Sequence, residues 1–205
     1  MSTRNPRHAS EGIRCSMTDQ PLADTSDGIW DDGEWISWDW INTQLEDQEL
    51  RKAFPSASPD VVRIFQDLVS LAQHYKAATG RYLQIWGELG ELYAEICYGL
   101  VRHKPGAQGS DGRIGNDLIE VKTLSPEKQT NTVHVKLTDR NFNKLLVVRI
   151  TEDFEFSAQM TDRARLRKGS GKTRSTSGSL KPAPPARLAR TLGMMSSQST
   201  SPRYL

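Results

Sequence analysis

The hydrophobic period of this chain changes once, near Pro105-Gly106, and that change asks for helices first and a sheet afterwards. Upstream, Ser58 can cap a helix whose first position is Pro59, and Val61, Ile64, Phe65, Leu68, Val69 and Ala72 recur at three- and four-residue steps. This helix should end near Ala78-Thr79-Gly80. A second is expected from about Tyr82 to Val101, carried by Leu89, Leu92, Ile96 and Leu100, with Gly99 weakening its last turn. Downstream, side chains alternate in the manner of strands over residues 118–123, 132–137, 145–150 and 154–158. The middle of the chain, 58–160, is therefore expected to be one mixed α and β domain.

The ends are of another character. The formal charge of +2 conceals a cancellation: residues 18–60 carry −9, residues 161–205 carry +9, and residues 61–160 balance. Residues 1–28 are polar and aperiodic and are expected to be disordered. Residues 29–57 form an acidic extension with four of the five tryptophans, in which Trp38 and Trp40 alternate with polar neighbours as a strand would. The stretch is expected to pack its rings on the domain, or equally to dock on a basic surface; a base-stacking surface is disfavoured because the flanking carboxylates would repel phosphate. Residues 161–205 read as a disordered basic tail, either merely solvated or a polycation adding affinity for phosphate backbones.

No apolar run approaches the ~20 residues of a transmembrane helix, and the N-terminus lacks a secretory h-region, so an intracellular, cytoplasmic protein is expected. Cys15 falls in a polar end and Cys97 in a helical pattern, which supports neither a disulfide framework nor a thiolate metal site.

The stretch that could do chemistry runs from Gly109 to Thr123. On a strand, Glu120 and Lys122 share one face while Ile119 and Val121 share the other. An acid and a lysine so placed are costly beside a core unless a metal or substrate uses them. Asp111 lies nine positions before Glu120, and Gly112, Gly115 and Asn116 between them suit a tight turn, so a hairpin would set the two carboxylates side by side. Converging carboxylates repel unless a hard cation separates them, and Mg²⁺, with Mn²⁺ as a substitute, accepts such ligands together with waters and phosphate oxygens. Phosphodiester chemistry follows, with a metal-bound water activated and Lys122 orienting it or stabilising developing charge. Glu88, Glu91 and Glu95 share one helix face; beside the reading of a solvated face stands that of a third metal-reaching acid, with Glu91 preferred and Glu88 the alternative.

Gly-Glu on a helix, then Gly-Ser-Asp, then Ile-Glu-Val-Lys-Thr on a strand resembles the PD-(D/E)XK, or restriction-endonuclease-like, nuclease superfamily, over roughly residues 82–158. The resemblance implies an α-β-β-β-α-β core, a central mixed sheet flanked by helices, and Mg²⁺-dependent hydrolysis of DNA. It makes Asp111 and Glu120 the metal-binding acids, Lys122 the catalytic lysine, and Glu91 or Glu88 the helix acid. The chain departs from the pattern in having Ser110 where the family commonly has Pro, and in the short spacing from Asp111 to Glu120, which leaves Asp117 as a competitor. Many such nucleases are homodimers, and an RNA substrate would use the same residues. The alternative is a degenerate nuclease fold that binds DNA or a protein partner without cutting.

Among the remaining polar residues, Lys136, Arg140 and Lys144, with Arg163, Arg165, Arg167 and Lys168 at the start of the tail, are candidate DNA contacts. His134 is expected on a polar strand face, as a surface residue or a phosphate contact. His103 and Lys104 are placed at the end of the second helix, where cations suit the dipole, and Tyr82, Trp86 and Tyr93 in the core.

Overall fold

A computed structural model describes residues 12–128, 132–135, 141–166 and 172–174. The fold is α+β, and the chain divides into two compact units at Ala53/Phe54.

In the first unit, strands β1 (Gly28–Asp31) and β2 (Glu34–Ser37) form an antiparallel hairpin. The two-residue turn is Asp32-Gly33, both at positive φ, the conformation that Asp-Gly tolerates best. Helix α1 (Trp38–Ala53) follows at once, and Ser37 Oγ accepts the Trp40 amide at 3.2 Å. Trp38 and Trp40 thus open a helix where their alternation suggested a strand. Two residues of alternation cannot outweigh a Ser cap and the helix-forming run Gln44-Leu45-Glu46 that continues to Leu50-Arg51-Lys52-Ala53. Residues 12–22 have no periodicity to announce them, yet Cys15 is 1% exposed and its sulfur takes the Ser37 amide and hydroxyl at 3.4 Å.

In the second unit, helix α2 (Pro59–Thr79) begins on Ser58, whose Oγ accepts the Val61 amide, and stops at Gly80 in the left-handed region. It buries Phe65, Val69 and Ala72 of the expected stripe together with Val62, while Val61 and Leu68 are half-buried and Ile64 is exposed. Helix α3 (Trp86–Tyr98) is shorter than the apolar pattern at both ends. Ile85, at its N-cap, makes no side-chain cap bond, and Gly99 at φ +68° closes the C-terminus. His103 and Lys104 therefore lie beyond the helix, past strand β3 (Val101–Arg102).

Strands β3, β4 (Gly112–Ile114), β5 (Asp117–Leu124), β7 (Lys144–Ile150) and β8 (Phe156–Asp162) form one five-stranded sheet in that order. Only β5 and β7 are parallel, so the sheet is mixed. The crossover between them holds strand β6 (Thr132–His134), which pairs with β9 (Lys172–Arg174).

Both faces of β5 and β7 are covered. On one, α3 approaches so closely that a methyl group on Gly90 would collide with the Thr123 hydroxyl. Strand alternation puts Ile119, Val121, Leu146 and Val148 on this face, all buried, and Phe156 continues it between Phe65 and the stacked ring of Tyr93. Trp86 and Tyr93 are core rings, and Tyr82 lies half-buried against Trp86. On the other face Leu124, Leu145, Phe142, Val133, Val135 and Leu166 make a second apolar cluster. Among the described residues, no helix is long and apolar enough to cross a membrane.

Candidate functional site

The β4–β5 hairpin turns at Gly115-Asn116 and pairs Gly112 with Ile119. One step outward, Asp111 faces Glu120, and its amide donates to the Ile119 carbonyl at 3.0 Å. Three backbone groups fix Asp111: that carbonyl, the His103 amide donating to its own carbonyl at 2.9 Å, and the Val121 amide donating to Oδ2 at 2.7 Å. The acid thus occupies a place in the ladder where another residue's carbonyl would ordinarily sit. His103 Nδ1 also lies 3.1 Å from the Ser110 carbonyl, so the Ser110-Asp111 corner is held on both sides.

Glu120 and Lys122 share the face of β5 turned away from α3, as alternation requires. Glu120 is 0% exposed, and Lys122 Nζ lies 2.5 Å from its Oε1 and 3.2 Å from the Val121 carbonyl. A buried carboxylate is tolerated because this ammonium accompanies it. The structure places Asp111 across the hairpin from Glu120, with Lys122 paired to Glu120.

The helix acids separate into two kinds. Arg102 reaches back from β3 to Glu88 at 2.6 Å and to Glu95 at 2.8 Å, binding the outer two of the three glutamates. This clamp has no signature in the helix, because it depends on where the next strand runs. Glu91, between them, is half-buried, and burial followed by the charges of Asp111 and Glu88 holds its carboxyl above the ordinary range. Yet α3 lies on the Thr123 face of β5, opposite to Glu120. Among the described residues, no three His, Cys, Asp or Glu side chains converge as a ready ligand set.

The raised pKa of Glu91 has a definite sign. Its charged form is disfavoured in the fold, so the penalty is absent below the ordinary carboxylate range, grows as pH rises, and is complete above the raised value. Glu91→Gln should therefore melt higher than wild type at pH 7 in chelator, with the gap closing as pH falls through the carboxylate range. A constant gap in calorimetry across that range would show that the effect is not Glu91's charge.

Asp117, the competing acid, pairs with Lys144 at 2.6 Å and belongs to the hairpin turn. That pairing holds the Lys144 ammonium in its charged form and occupies a candidate DNA contact. Arg163 donates to the Phe142 carbonyl at 3.1 Å and lies over the Phe142 ring, so it closes the second apolar cluster. Arg165 is exposed beside Asp162. Lys136, Arg140, Arg167, Lys168 and the side chain of His134 lie outside the described residues. The strand β8 and Leu166, 5% exposed, carry the folded unit past residue 160.

No family model matches the chain, and no curated protein matches it significantly.

Proposed function

We propose that this protein is a restriction-endonuclease-like nuclease that hydrolyses DNA phosphodiester bonds with Mg²⁺. The observation that carries the reading is the β4–β5 hairpin, which sets Asp111 opposite Glu120 with Lys122 on the same strand two residues on. The donors suit a hard cation: Asp111 and Glu120 are cross-strand neighbours, and burial followed by the Asp111 charge holds the Glu91 carboxyl above its ordinary range. Asp111 and Glu120 would hold the ion, with waters and substrate oxygens completing the shell. When bound, Mg²⁺ supplies polarisation of the phosphate and a water acidic enough to attack near neutral pH.

The chain's own residues set the geometry. The backbone bonds on Asp111 fix that carboxylate before any ligand arrives, which removes reorganisation from the reaction. Lys122 is a strongly hydrated point charge with donors to spare, and beside Glu120 it can steady negative charge developing on the phosphate. Glu91 is coupled to Asp111 by charge, so the ionisation of one disfavours that of the other.

A second reading is favoured by the complete burial of Glu120 with Lys122: the pair is a structural ion pair in a nuclease-derived fold that binds DNA or a protein without cutting. Cleavage of plasmid and single-stranded DNA separates the two, assayed with Mg²⁺, Mn²⁺ or chelator. Wild type should cut with either metal and not with chelator. Asp111→Asn, and the paired change Glu120→Gln with Lys122→Met, should each lose at least ~10²-fold in rate while still folding. A folded wild type that cuts neither substrate would sink the nuclease reading in favour of the binder.

A further inference from the structure

Helix α2 carries two apolar stripes, and the second unit buries one of them. The buried stripe is Val62, Phe65, Val69 and Ala72. About 100° round the helix runs the other, Val61, Ile64, Leu68, Leu71 and Tyr75, at alternating steps of three and four residues. Ile64, Leu71 and Tyr75 are 53%, 56% and 37% exposed, with Val61 and Leu68 half-buried between the stripes. Scattered apolar residues are ordinary on a surface, but a row in register over about four turns is a face made for contact. Steps of three and four are also the period with which one helix seats on another.

The face is preformed. Ser58 and Gly80 cap the helix, and its buried side is held where Phe65 meets the Phe156 ring edge-on. On the flank of the exposed stripe farther from the core stand Asp60, Asp67 and His74 at seven-residue steps, followed past the cap by Arg81, and all four are exposed. Lys76 does not belong to this flank: it continues the buried stripe, donates to the Glu152 carbonyl at 3.1 Å and lies over the Tyr82 ring. Asp60 meets Arg63 at a long 3.5 Å, an exposed contact of little weight. The flank therefore runs from acid at its N-terminal end to base at its C-terminal end. A second copy running in the same direction would bring acid level with acid, whereas one running the opposite way sets acid beside base twice over.

We propose that this face of α2 is the contact between two copies of the chain, whose helices pack antiparallel about a two-fold axis. With Leu68 opposite Leu71 of the second copy, Ile64 meets Tyr75 and Val61 meets Ala78, while along the flank Asp67 meets His74 and Asp60 meets Arg81. Every such contact occurs twice. A helix pair of this length, roughly 30 Å, is small beside a standard interface of about 1,600 Å², so the dissociation constant expected is on the order of 10 µM. The contact is independent of whether the chain cuts DNA.

The test is sedimentation equilibrium of the full chain without DNA, from about 1 µM to about 1 mM. Wild type should pass from monomer to dimer across that range. Leu71→Lys should raise the dissociation constant at least ~100-fold with unchanged circular dichroism, because Leu71 is exposed in the single copy. Ser70→Lys, exposed on the far side of the helix from the stripe, should change nothing. Asp60→Arg and Arg81→Asp should each weaken self-association by about tenfold at low salt. Mixed one to one, these two variants should pair with each other at wild-type strength, since each then offers the other an opposite charge at both ends. A dimer indifferent to Leu71→Lys would show that the copies meet elsewhere, and a mixture that fails to recover would show that the helices do not run antiparallel; either overturns the proposal. So does a monomer at every concentration. In that case a lowered melting temperature for Leu71→Lys would mean that the chain covers the face itself, and an unchanged one would leave the face to a different protein.

Discussion

Replacing Lys122 by Met should destabilise the protein by about 3–5 kcal/mol, because Glu120 then keeps a charge inside the sheet without its ammonium. The magnitude follows from asymmetry. Glu120 is 0% exposed, so its carboxylate has given up water, whereas the Lys122 side chain retains 30% of its exposure and loses less on burial. Met replaces the aliphatic stem, so the loss reports the charge and not a cavity. Glu120→Gln should cost far less, since an amide carries no charge to desolvate and the freed ammonium can turn to solvent. The double variant should recover most of the stability lost by Lys122→Met alone, which gives a coupling energy directly. Urea unfolding in chelator measures all three. A loss under ~1 kcal/mol for Lys122→Met would mean that other groups around Glu120 carry the charge. The same numbers bear on function, because a cation reaching Glu120 would replace the stabilisation that Lys122 gives it, so Mg²⁺ should recover part of the stability lost in Lys122→Met.

Gly90→Val should be the second large change, costing about 1–3 kcal/mol by overpacking α3 against β5 and lowering cleavage as well. Even one methyl at Gly90 meets the Thr123 hydroxyl, so either Thr123 turns to another rotamer or the helix moves away from the strand. A shift of α3 moves Glu91, the very next residue, relative to Asp111. Thr123→Ala should rescue it. In that background Gly90→Ala still meets the position-123 Cβ at 3.2 Å, so its loss should shrink to under ~1 kcal/mol as the better helix propensity of alanine offsets the remaining tight contact. A loss equal in both backgrounds would show that Thr123 is not what limits the approach. This contrasts with Gly87, on the exposed side of the same helix, where a Cβ meets nothing within 4 Å.

Much of the framework was legible because local rules agree with the tertiary ones. Ser58-Pro59 and Gly80 bound α2 as their chemistry dictates, and the alternation over residues 118–123 sits inside β5. The hairpin that unites Asp111 with Glu120 could be read from glycines and spacing alone, since its contacts are close in sequence. What failed depended on distant partners. The expected start of α3 at Tyr82 was too early because Gln84 serves Glu127 forty-three residues on, outside any helical pattern. Alternation could say that Glu120 and Lys122 share a face, but not that Leu145, Phe142 and Leu166 would cover the surroundings and bury the acid. Helical spacing likewise grouped Glu88, Glu91 and Glu95 as equivalents, and only the course of β3 distinguishes Glu91 by giving Arg102 to the others.

The parallel pairing of β5 with β7 also orders events in time. The β4–β5 hairpin closes on two residues, so Asp111 and Glu120 can meet within microseconds of chain motion. Pairing β5 with β7 must first close the crossover of residues 125–143, an entropic cost the hairpin does not bear. The two carboxylates consequently come face to face while still in water, where their repulsion is screened. Burial of Glu120 requires β7 as well as β5, and Lys122, two residues on along the same strand, is already at hand to accompany that carboxylate when the sheet is completed.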